Sequence, residues 1–255
     1  GFACVSSLAD SQMIAEGLSL LISYGSYMLP GLSLIALWFC LTPKTQLGLR
    51  IIILLLGFVL MRDVMTPLRL WCLSGHVQIS FISNPFVLTS LGFLSLAIVV
   101  ALAKIAPELW HLISWSKGNR AVGLTLGIAA GCAIGVPLRL YQGIDTGQIA
   151  GYWPWFLSMV VLAYGCNALE EVLFRGFLQG HLEHHTSILR ASLISAVAFA
   201  ACHSFLALSV TRIGWPILLF TLVEGLACSF VRTRYGVNAA IAAHGTAILL
   251  IATPM

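Results

Sequence analysis

The chain has 255 residues, of which 59% are hydrophobic and only 9% charged. Soluble domains carry roughly 25% charged residues, so water is excluded as the surrounding solvent and a lipid bilayer is the one that fits. The formal charge of +4 is small and scattered, which points away from nucleic acid and toward loops that set membrane topology.

The length suits one helical bundle better than several domains. Residues 1–150 are read as its first half and 151–255 as its second, together one integrated membrane domain. No basic segment precedes a short apolar stretch at the start, so a cleavable signal peptide is not expected, and a first residue Gly1 leaves room for an upstream start. Seven cysteines form no CxxC pair. They are read as small buried hydrophobes, since a disulfide framework belongs to compact secreted chains.

A spanning helix needs about 20 mostly apolar residues. Eight candidate runs follow in chain order, at 13–41, 47–64, 86–103, 121–138, 152–182, 191–210, 215–231 and 237–251. The expected fold is therefore all-α, a polytopic transmembrane bundle of about eight spanning helices. Pro30 interrupts the first run, which a membrane helix tolerates. Strands are not expected, because the runs are too long and lack period-two alternation. Trp110, His111 and Trp115, after the third run, suggest a short surface helix, and Tyr152, Trp153, Trp155 and Trp215 suit an interfacial aromatic belt.

Nine basic residues lie in the loops after helices one, three, five and seven, whereas Arg62, Arg69, Arg139 and Arg212 fall in the others. The positive-inside tendency then puts the odd loops in the cytoplasm and both termini outside. The expected location is a plasma or inner membrane, as a multi-pass protein.

Ionisable groups inside spanning segments cost about 2.5–3.5 kcal/mol each on insertion scales and usually face the bundle interior. Five stand out here: Glu170 and Glu171 in the fifth run, His203 in the sixth, Glu224 in the seventh and His244 in the eighth. Four consecutive helices each offering a proton-active side chain point to a shared polar cavity. Glu171 and Arg175 are four residues apart and meet on one helix face, so they can neutralise each other. Glu170 is turned by about 100° from that pair and is left without Arg175 as a partner. Asn167 shares its face and can hydrogen-bond to it. An acid so placed can serve as a general base. The alternative is that both glutamates only brace helices, and that each histidine is a satisfied core residue. Glu224 is expected to cap a buried network with Arg175 or His244, or to make a helix-packing hydrogen bond.

These residues resemble a known family. Glu170-Glu171-x-x-x-Arg175-Gly176, then Phe199-x-x-x-His203, then His244 in the last helix, is similar to the CAAX protease and bacteriocin-processing family. Its members are glutamic intramembrane proteases that include the CAAX prenyl endopeptidases. The resemblance covers Tyr152 to Met255. It implies hydrolysis of a peptide bond of a membrane-associated protein or peptide by activated water, with no cofactor and no metal. Glu170 would be the general base, with His203 helping to hold the water. Glu171 and Arg175 would support, and His244 would stabilise the oxyanion. The family usually has an asparagine four residues after the last histidine, where this chain has Ile248. Thr246 and Asn238 lie about 200° and 240° round the helix from His244, which leaves Asn167 or a backbone amide as the substitute donor.

Three other readings remain open on the residues. A zinc shell from one or both glutamates with His203 and His244 would make a metal-dependent membrane protease, although HExxH is absent. A proton relay in a transporter, or a catalytically silent scaffold or immunity protein, uses the same residue types. Cys166 or Cys202 beside His203 would make a nucleophile. The cluster His181, His184 and His185 can bind metal, or sit at the interface or in a loop.

Overall fold

The computed structural model describes residues 2–74, 78–143, 153–204 and 214–255. The expected position of Tyr152, Arg212 and the end of the sixth run lie outside these. The molecule is an α-helical membrane bundle. Nine helices occur among the described residues: α1 (Phe2–Leu41), α2 (Leu47–Met65), α3 (Pro85–Ile105), α4 (Pro107–Trp110), α5 (Arg120–Gln142), α6 (Trp153–Glu183), α7 (Ile188–Cys202), α8 (Trp215–Tyr235) and α9 (Val237–Ile251). Over the described residues seven of the eight apolar runs fall on one helix each, and the sixth overlaps α7 as far as Cys202. Five stretches are long and apolar enough to cross a membrane: Ser11–Leu41 of α1, and α3, α5, α6 and α8. α2 has 19 residues and carries Arg50, Arg62 and Asp63, while α7 and α9 are apolar helices of 15 residues each.

Large apolar side chains such as Leu18, Ile22, Leu34, Phe93, Leu140 and Val197 project outward. In lipid this is the favourable arrangement, because hydrocarbon side chains match the solvent. Polar groups such as Glu170, Glu171, Arg175 and His244 are instead buried in the interior, among apolar side chains such as Phe58, Phe174 and Phe199.

Small residues decide which helices touch. Gly123, Gly127, Gly131 and Gly135 recur every fourth residue along the buried face of α5. A Cβ at Gly127 or Gly131 would run into the carbonyl oxygens of Ala239 and Ala243 on α9. Without a hydrophobic drive between helices in lipid, such close backbone approach supplies the packing. Gly92 of α3 and Gly165 of α6 approach each other in the same way. The first contact packs α5 on α9, and the second packs α3 on α6, the most buried long helix.

α6 changes pitch where its charges lie. Residues Val172–Leu178 form a π-helical segment directly after the glutamate pair. Such segments leave the ordinary α ladder and are frequent at functional sites. Ser195 of α7 donates to the carbonyl of Phe174 within it, at 2.9 Å. Phe58 of α2 stacks edge-on against Phe174, with ring centroids 5.4 Å apart. α2 is also tied to α1, where the Tyr24 hydroxyl donates to the carbonyl of Met61 at 2.8 Å.

One feature departs from the sequence expectation. β1 (Trp71–Ser74) and β2 (Gln78–Phe81) pair antiparallel between α2 and α3, and β3 (Ala252–Pro254) pairs parallel to β2. Strands of three and four residues are too short to register as apolar runs. Their pairing joins the end of the chain to a connection 173 residues earlier, through the Ser80 and Thr253 hydroxyls at 2.8 Å.

Candidate active site

The π-helical turn of α6 and the helices around it bring the unusual polar residues of four helices to one place. Glu170, His203, Glu224, His244 and Asn167 all line one cavity of about 100 Å³. The rest of its wall is mostly apolar. Trp71 and Leu73 of β1 and Ile79 and Phe81 of β2 close one side, so the small sheet lies over the polar residues. Glu170, Asn167, Glu224 and His244 are each at most 5% exposed.

Two acid–imidazole pairs stand side by side. In the first, Glu170 Oε2 lies 3.8 Å from His203 Nε2. His203 caps the C-terminal end of α7, and its Nδ1 lies 2.8 Å from the carbonyl of Phe199. A carbonyl can only accept, so Nδ1 carries the proton of this bond and Nε2 is the nitrogen turned toward Glu170. In the second pair, Glu171 Oε1 lies 2.7 Å from His244 Nδ1. The other nitrogen of His244, Nε2, is 3.5 Å from Glu224 Oε2. The imidazole is thus held between two carboxylates. Phe199 packs against both imidazoles, with centroids 4.4 Å from His203 and 5.5 Å from His244.

The Glu171–Arg175 pair occurs as its spacing predicts, at 3.2 Å with both side chains fully buried. Arg175 also donates to the carbonyl of Gly225 at 2.9 Å and lies over the Phe199 ring at 4.4 Å. Glu224 therefore reaches His244, and Arg175 takes a backbone oxygen beside it rather than the Glu224 carboxylate.

Two expectations are corrected here. Arg62, expected as a loop charge, lies on α2 and donates to Glu170 Oε1 from Nε at 3.0 Å and from Nη2 at 2.6 Å. The sequence places Arg62 near the end of an apolar run, where it reads as a loop charge. Only the packing of α2 onto the π segment turns it inward. Asn167 does not donate to Glu170, since its Nδ2 is buried and has no hydrogen-bond partner. Ile248, where the resembled family has an asparagine, lines the same cavity with an apolar side chain.

The other candidates are placed as follows. Glu171, Cys228 and His244 have donor atoms all within 4.8 Å of one another, a set of the kind that holds a metal ion. The zinc shell considered from sequence is split instead, with His203 beside Glu170 and His244 beside Glu171. Cys166 is buried against Ser95, its Sγ 3.3 Å from that hydroxyl. Cys202 adjoins His203 in sequence and is half-buried. His181 and His185 stack at the end of α6, 4.7 Å between centroids, away from the cavity.

Residues 151–250 match the Rce1-like family, type II CAAX prenyl endopeptidases, and are similar to it over that stretch. No curated protein and no solved structure matches the chain. The matched stretch contains α6 to α9 apart from the last residue of α9, and with them Glu170, Glu171, Arg175, His203, Glu224 and His244. Arg62 and the β1–β2 hairpin lie outside it.

Proposed function

We propose that this integral membrane protein, a CAAX-type protease at the level of its family, cleaves a membrane-associated protein or peptide with a water molecule activated by Glu170 and His203. The observation that carries the reading is the 3.8 Å separation of Glu170 Oε2 and His203 Nε2 at the wall of a common cavity. That distance is too long for a direct hydrogen bond, and it suits one water bonded to both groups. The catalytic groups are then Glu170, His203 and His244, supported by Glu171, Arg175, Asn167 and Glu224.

Glu170 takes a proton from the water as its oxygen attacks the scissile carbonyl carbon. His203, fixed by its bond to the Phe199 carbonyl, holds the same water in line. The negative charge that develops on the carbonyl oxygen is met by His244, oriented by Glu171 and Glu224. It is also met by the Asn167 amide, which lines the cavity and whose Nδ2 has no hydrogen-bond partner. Donors placed in advance in a dry site contribute about 3–4 kcal/mol each to such a transition state. Collapse of the intermediate passes the proton from Glu170 to the leaving nitrogen, giving a new carboxyl and a new amino terminus. Arg175 neutralises Glu171, so that this acid orients His244 rather than competing for the water.

The test compares membrane proteomes of cells carrying the wild type or Glu170→Gln. A peptide whose new terminus appears with the wild type and is missing with the variant supports the reading. Identical sets of termini refute it.

A metal-dependent form of the reaction has one observation in its favour, the Glu171, Cys228 and His244 cluster. It predicts that cleavage stops on exhaustive chelation and returns with zinc.

A further inference from the structure

The reaction reading above draws its residues from the second half of the chain. The structure adds a charged group from the first half, and the inference rests on that reading. Arg62 belongs to α2, more than a hundred residues from Glu170, and its side chain is only 12% exposed. Its Nε and Nη2 both donate to one oxygen of Glu170, Oε1, and Nη2 also reaches the carbonyl of Cys166 at 3.4 Å. Nη1 turns to the Met65 sulfur at 3.7 Å. Phe58, one turn earlier on α2, stacks on Phe174, and its ring lies 5.4 Å from the guanidinium carbon of Arg62. Tyr24 holds the carbonyl of the preceding residue, Met61. The guanidinium is thus fixed from several directions before it meets the carboxylate.

We propose that Arg62 is a positioning residue for hydrolysis. It occupies Oε1 of Glu170, so that Oε2 is the oxygen left facing His203 and the water. A carboxylate with two equivalent oxygens can rotate about its last torsion, and a rotated base misses a water held by His203. Two charge-assisted bonds to one oxygen stop that rotation. A lysine, with a point charge and no planar fork, would hold the oxygen less firmly. The catalytic apparatus therefore extends beyond the family-matched stretch, and residues 151–250 alone lack a part of it.

The test uses the full chain in proteoliposomes, with an internally quenched peptide carrying a farnesylated cysteine three residues from its free carboxyl end. Misplacing a catalytic group by an ångström can cost about a hundredfold in rate, so Arg62→Met should lower kcat by that order and leave KM within about threefold. Arg62→Lys should recover part of the loss, and methylguanidinium should raise the rate of Arg62→Ala while leaving Glu170→Gln inert. In the same preparations, the infrared carboxylate band of Glu170 is isolated as the difference between wild type and Glu170→Gln. It should shift in Arg62→Met and less in Arg62→Lys.

That band needs no substrate and no turnover, so it reports on the pair even if the peptide is not cleaved. An unshifted band overturns the inference. So does an Arg62→Met enzyme with kcat within threefold of wild type, in which case Glu170→Gln being inactive leaves the proposed function standing. Cleavage by Glu170→Gln at the wild-type rate sinks the proposed function itself.

Discussion

Glu171 is the acid whose loss the structure prices most directly. Its side chain is fully buried and faces two partners, Arg175 at 3.2 Å and His244 Nδ1 at 2.7 Å. Glu171→Ala leaves a fully buried guanidinium with no carboxylate, although Arg175 keeps its bond to Gly225 and its contact with the Phe199 ring. Removing one member of a buried pair costs about 3–5 kcal/mol, most of it the stranded charge. Glu171→Gln preserves shape and one acceptor, and should cost about 1.5–3 kcal/mol, the worth of a hydrogen bond to a charged group. If stranding is the cause, Glu171→Leu combined with Arg175→Met should be less destabilised than Glu171→Ala alone. Reversible unfolding in mixed micelles, titrated with dodecyl sulfate, measures all three together with Glu171→Leu and Arg175→Met alone. A Glu171→Ala protein within about 1 kcal/mol of wild type, or a double variant whose loss equals the sum of the two single ones, refutes this account, because contacting residues should couple.

Asn167→Ala should lower kcat by about a hundredfold if its amide meets the oxyanion, and Ile248→Asn in that background should restore part of it, since that position lines the same cavity. Unchanged kcat removes Asn167 from the mechanism. Gly131→Leu forces a side chain against the Ala243 carbonyl and Thr246. Overpacking of this kind costs about 1–3 kcal/mol, so the melting temperature should fall, and an unaltered melt would show that α5 and α9 can separate without loss. Exhaustive chelation, verified by metal analysis, should leave cleavage intact, whereas a loss restored by zinc moves the reaction to the Glu171, Cys228 and His244 cluster. Replacing Cys166 and Cys202 by serine should leave the rate within threefold, and an inactive double variant would revive a thiol nucleophile.

Much of the fold was legible in the chain because lipid is an undemanding solvent to read. Long apolar runs with few charges have one stable backbone form in a bilayer, so α1, α3, α5, α6 and α8 follow from length and composition alone. The Glu171–Arg175 pair was legible because helix pitch places residues four apart on one face. Glu170, His203, Glu224 and His244 announced themselves by their cost, since an ionisable group in an apolar helix needs a reason to be there.

What needed the tertiary structure was every relation between distant segments. Whether a given acid meets a given base depends on which helices touch, and here close approach at glycines such as Gly92, Gly127 and Gly131 decides that. Arg62 illustrates the limit: an arginine near the end of an apolar run reads as a loop charge, and nothing local says that α2 docks on the π-helical turn and aims it at Glu170. The β1–β2–β3 sheet was hidden for a related reason, because strands of three or four residues carry too little periodicity, and β3 pairs with a strand 173 residues before it. Chemistry-bearing residues could be picked out from sequence by energetic expense alone. Their pairing, which couples Glu170 with His203 and Arg62 and Glu171 with His244 and Arg175, was settled by helix packing.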